Sequence, residues 1–111
     1  MRLTTDIEVA GLCRRAENDG GFATVLRKGD RERGSLLLIV SSRGRHHACL
    51  ERTLSLKGTY EWARVGPEGT ESAEKLAEFL EKQIRFDEDL WVVELDIADP
   101  ERFIAETIVS G

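Results

Sequence analysis

Little in this chain of 111 residues points toward chemistry. It has two cysteines, two prolines, one methionine and two histidines, and aromatic residues make up 6%. Cys13 and Cys49 lie far apart and lack the close spacing of a zinc knuckle or a redox pair, so both are expected as reduced thiols and no metal or cofactor is assigned. The longest aliphatic run, Leu36 to Val40, is five residues, where a spanning helix needs about 20. No membrane span is expected. The N-terminus has no apolar signal core, which makes the expected location cytoplasmic. Glycine-rich phosphate loops are missing, since Gly29 to Gly34 carries neither the lysine nor the hydroxyl that a P-loop requires. A nucleophile-elbow spacing around Ser41, Ser42, His46 or His47 is missing as well.

What the chain does have is charge, unevenly placed. The net charge is -5. From Arg27 to Arg52 seven Arg/Lys meet three acids, and from Glu61 to Glu106 five Arg/Lys meet fourteen. An acidic chain whose basic segment lacks exposed aromatics is a poor nucleic-acid binder. The length fits one domain, residues 1–111, large enough to bury a core without staples.

Periodicity gives the elements. Thr5 with Glu8 has capping-box spacing, and Val9, Leu12, Cys13 and Ala16 form one stripe of a helix from Asp6 to Asp19, ended by Gly20-Gly21. Phe22 to Arg27 reads as a strand, turned by Gly29 to Gly34 into Ser35 to Ser41. Arg43-Gly44-Arg45 turns into His46 to Leu56, which alternates with period two, and Lys57-Gly58 turns into Thr59 to Val65. Thr70 or Ser72 caps a helix to about Arg85, Leu90 to Ile97 is a fifth strand, and Asp99-Pro100 opens a short helix from Glu101 to Val109. The expected fold is α+β: a four-stranded antiparallel meander plus one strand, with two to three helices mainly on one face. Leu36 to Val40 is apolar on both sides, and a second copy packing on the uncovered face is the expected way to bury it.

Two stretches carry a resemblance. Asp6-Ile7-Glu8-Val9-Ala10 through Arg27-Lys28-Gly29-Asp30, and Ile84 through Glu94 with its Phe-Asp-x-Asp-Leu-Trp-Val-Val-Glu run, resemble a bacterial domain-of-unknown-function family, chiefly alphaproteobacterial. The resemblance implies no activity, cofactor or catalytic residue.

Candidate site residues are few. Asp87, Glu88 and Asp89 lack the glycine and ligand spacing of a calcium loop, so capping of backbone amides is the expected role of Asp87 and Asp89. Arg52 interrupts the Ala48, Leu50, Leu54 face and Glu94 sits with Leu90 and Val92. Charges among apolar residues need partners, so the expectation is an ion pair between these two, or between one of them and a neighbour, against a solvated sheet edge as the alternative. His46 and His47 point to opposite faces of a strand and cannot easily share a metal. The leading functional reading is a non-catalytic interaction or accessory protein, with a second copy or another protein as the expected partner. The alternative is a binder or enzyme for a small polar or anionic molecule, using Arg52, Glu94, Asp87 and Asp89.

Overall fold

The computed structural model describes residues 3–110, with side chains to 108. The elements run α1 (Thr5–Asn18), β1 (Phe22–Arg27), β2 (Leu36–Ser42), β3 (Arg45–Leu54), β4 (Tyr60–Val65), α2 (Ala73–Phe86), β5 (Trp91–Asp96) and α3 (Pro100–Ser110). They match the elements expected from periodicity to within a residue or two at most ends. Their arrangement does not match.

The sheet order is β1-β5-β2-β3-β4, so the meander is confined to β2, β3 and β4. β5 inserts between β1 and β2, antiparallel to the first and parallel to the second, which makes the sheet mixed. The segment read as a hairpin turn, residues 28–35, instead crosses the start of β5. Asp30 N–H donates to Asp89 O at 3.0 Å, Trp91 N–H to Ser35 O at 2.8 Å, and the Trp91 indole N–H to Asp30 O at 2.7 Å. Glycine is needed for this crossing, because a Cβ at Gly29 would lie 2.0 Å from Asp89 O and one at Gly34 2.4 Å from the same atom. The β2–β3 turn is tight as expected: Arg43 and Gly44 both have positive φ, 54° and 78°, the pairing a two-residue hairpin prefers. Asp96 fixes it by accepting from the Arg43 and Gly44 amides at 2.9 and 2.8 Å.

Helices cover both faces, a correction to the one-sided packing expected. α1 and α3 lie on one face, where Val9, Ala16, Phe103 and Ile104 pack against Leu36, Leu38, Val40, Leu50, Val93 and Leu95. α2 lies on the other, setting Leu76, Phe79, Leu80 and Ile84 against Leu37, Ile39, Cys49, Leu90 and Val92. The chain thus covers both sides of β2 by itself, and the reason for placing a second copy there disappears. Ser72 caps α2 by accepting from Lys75 N–H at 3.3 Å. Thr5 does not cap α1. It lies inside the helix, buried, with its hydroxyl donating to Gly34 O at 3.0 Å, while Thr4 holds the cap position without bonding a helix amide, its hydroxyl donating instead to the Asp6 carboxylate. Among the described residues no helix is long and apolar enough to cross a membrane.

Candidate functional site

Arg52 and Glu94 do not pair. Strand parity separates them: Arg52 follows Leu50 onto the α1/α3 face, and Glu94 follows Val92 onto the α2 face. Arg52, only 3% exposed, takes Glu8 of α1 as its carboxylate partner. Its Nη2 donates to Gly34 O at 3.3 Å and to Thr5 Oγ1 at 3.5 Å, and the guanidinium lies 4.3 Å from the centre of the Tyr60 ring. A buried arginine so paired, bonded and stacked meets the conditions under which burial of the charge is tolerated. The Glu8 carboxylate is thereby used across the core rather than at the helix start. Glu94 accepts from the Ser41 hydroxyl at 3.0 Å.

The other two candidates stay in the α2–β5 loop. Asp87 accepts from Asp89 N–H at 3.0 Å, the backbone-capping geometry its short side chain favours, and the Asp89 carbonyl takes the Asp30 amide. Arg52 lines a cleft of about 680 Å³ with Leu3, Glu32, Arg33, Leu54 and Tyr60. Asp87, Asp89 and Glu94 do not line it.

A second charged group joins α3 to the sheet. Glu101 pairs with Arg64, whose Nη2 is 3.0 Å away, and with His47; Arg64 also reaches Glu68 at 3.0 Å. Arg64, and to a lesser degree His47, push the Glu101 carboxyl down from 4.5 to about 2. His46 Nε2 lies 2.7 Å from Pro67 O. A carbonyl only accepts, so Nε2 carries the proton, and the buried Nδ1 has no hydrogen-bond partner. Burial, then Glu68, raises the Cys49 thiol to about 12, which leaves it unreactive. Among the described residues no group of three or more His, Cys, Asp or Glu side chains is placed to hold a metal ion.

The remaining feature is the β1 edge. β1 pairs with β5 on one side and, among the described residues, has no strand on the other. Phe22 is 74% exposed, Leu26 51% and Val25 38%. Phe22 and Thr24 stand opposite Asp96 and Glu94, hence on the α2 face, beyond the part of the sheet that α2 covers. Sequence reasoning paired β1 with β2 as the first strand of a meander and left the place of the fifth strand open, so it did not single this edge out. The available signal was a six-residue strand with apolar side chains on both faces and no charge before Arg27.

Fold and site together define a class: a small α+β protein with a mixed five-stranded sheet between two helical layers, its buried charges neutralised internally and one apolar sheet edge open. The chain belongs to the family described as protein of unknown function, DUF1491, whose model matches residues 3–105. It is similar to a DUF1491 family protein from Caulobacter crescentus CB15 solved by NMR, with a TM-score of 0.77 and 37% identity over 90% of each chain. A crystal structure of a DUF1491 family protein from the same organism gives 0.75 and 36%, covering 89% of this chain and 92% of that one. A solution structure of a protein from A. tumefaciens gives 0.70 and 31% over 89% of each chain. A search of curated proteins finds no match.

Proposed function

We propose that this chain is a small non-catalytic interaction protein that docks through the β1 edge of its sheet. The observation that carries this reading is the open row of backbone groups along Phe22–Arg27, flanked by exposed Phe22, Val25 and Leu26. Natural sheets guard such edges with charge, proline or cover, and an unguarded one is a template for another strand. Several charges elsewhere are paired within the molecule: Arg52 with Glu8, Arg64 with Glu68 and Glu101, Arg15 with Glu106, Arg31 with Asp6. Leu54 and Leu56 are also exposed, but they sit at the β3–β4 turn, whose backbone closes on itself through Ser55 N–H to Thr59 O at 2.7 Å. One folded unit, carrying the Phe86-to-Glu94 run as a family mark, and a cytoplasmic location in keeping with two free thiols complete the reading. Cell fractionation tests the location.

The experiment is site-specific photo-crosslinking in cells that make the protein. A crosslinker in place of Phe22 is expected to give a discrete protein adduct and one in place of Glu61 on β4 none; no adduct at position 22, or equal adducts at both, ends the reading. The second reading is a site for a small polar or anionic ligand in the cleft lined by Arg52 and Arg33. A panel of such molecules that leaves Tm unchanged removes it.

A further inference from the structure

We infer that the occupant of the β1 edge is the β1 edge of a second copy of this chain, paired antiparallel across a two-fold axis. The inference rests on the interaction reading above and names its partner.

Three observations select a second copy. The first is charge at the two ends of the strand. Arg27 and the exposed Lys28 lie at its C-terminal end, where Arg27 also donates to the backbone carbonyl of Glu88 at 2.8 Å, whereas Asp19 and Asp96 lie at its N-terminal end with Arg43 as the cation nearby. Antiparallel pairing of two identical strands brings the basic end of each against the acidic end of the other, twice over. Parallel pairing would set like against like.

The second observation is apolar. An antiparallel partner centred near Thr24 brings the Phe22 end of each strand against the Leu26 end of the other, so these exposed apolar residues leave solvent together, while Val25 meets the partner strand on the opposite face.

The third is closure. β1 carries a bulge between Val25 and Arg27, which leaves Phe22–Val25 as the regular stretch and limits pairing to a short, defined register. The opposite edge, β4, carries Glu61 and Arg64, and Arg64 is tied to α3. A pair joined at β1 therefore forms one continuous sheet with two guarded ends, an isologous contact that stops at two copies and does not propagate.

The test is sedimentation velocity of the full chain from micromolar to millimolar concentration. The wild type is expected to dimerise reversibly. Phe22→Lys and Leu26→Lys are each expected to weaken the dimer about tenfold or more, with far-UV circular dichroism and Tm retained because both side chains already face solvent. Asp19→Lys and Lys28→Asp are each expected to weaken it, and the double exchange to restore it. If Leu26→Lys perturbs folding, Phe22→Lys, at the more exposed position, decides. A wild type that stays monomeric throughout overturns the inference, as does a dimer indifferent to the lysine variants, or an exchange that is not restored. These failures differ from failure of the interaction reading: a crosslinker at position 22 giving an adduct at other than twice the chain mass keeps that reading with a different partner, while no adduct ends both.

Discussion

The two edges of this sheet are built oppositely. Along β4 the strand is Tyr-Glu-Trp-Ala-Arg-Val, and its arginine is engaged: Arg64 holds Glu68 and Glu101, and Tyr60 lies over the Arg52 guanidinium. Along β1 the strand is Phe-Ala-Thr-Val-Leu-Arg, with no charge before its last residue and three large apolar side chains in solvent. α1 lies over β1 from one face, yet nothing flanks its outer side among the described residues. The difference shows where the charge of the chain is used. On the β4 side Glu101 of the acidic C-terminal half holds Arg64 of its own segment and His47 of the basic central segment, and the edge left without such pairs is the apolar one.

The comparison can be broken from the inside outward. The largest effect is expected at Arg52, which anchors β3 beneath β4. Arg52→Ala leaves Glu8 without its cation in a mostly covered site and removes the stacking on Tyr60, so unfolding free energy is expected to fall by about 3 kcal/mol. Urea denaturation measures it, and a loss within error of zero would mean that the pair contributes nothing to the guarded side.

Next comes Trp91, which keeps the β1–β2 connection across the start of β5 and so helps make β1 an edge. Trp91→Phe deletes the 2.7 Å bond to Asp30 O and part of a buried ring, at an expected cost of about 1–2 kcal/mol. Amide exchange is expected to rise first in residues 28–35. Uniform acceleration across the sheet would contradict that role.

The smallest effect is expected at the β4 clamp. Glu101 has a folded value near 2 against 4.5, so its contribution to stability is fully present above about pH 4.5 and is lost as pH falls toward 2. Glu101→Gln is therefore expected to lower Tm slightly at pH 7 and not at all near pH 2, so the wild-type and variant curves converge in acid. Curves that stay parallel would show that the clamp is not what titrates. Thiol labelling gives a control inside the core: Cys49 is expected to resist alkylation in the folded state, with reaction only at Cys13.

How far the sequence carries this account can be read from single residues. Every helix and strand was legible because periodicity and turn chemistry act locally: Arg43-Gly44 demands a tight hairpin wherever it occurs, and Ser72 caps whatever helix follows it. The β2–β3 and β3–β4 pairings followed from their short turns, but the partners of β1 and β5 are set by distant contacts, and these were not legible. Two stretches, Leu36 to Val40 and Leu90 to Val93, are apolar on both faces, and that shared property belongs to neighbours at the centre of a sheet, where the structure puts them. Residues 28–35 also exceed what a tight hairpin needs, which hinted at a crossing. Glu8 was hidden by its position, since a glutamate three residues after a threonine at a helix start reads as a capping box until a buried arginine is seen to claim it. The need of Arg52 for a partner was visible, and the identity of that partner was not.

The central claim is that the apolar edge, and not the charged one, meets a second copy. Disulfide trapping tests it most directly, in a chain whose Cys13 is replaced by alanine and whose Cys49 stays buried. Thr24→Cys, in the regular stretch of β1, is expected to form a disulfide-linked dimer rapidly under mild oxidation, because opposed Cβ atoms in a strand pair lie about 4.5–5.5 Å apart, whereas Glu61→Cys on β4 is expected to remain monomeric. Equal trapping at both edges, or trapping at neither, would contradict the account.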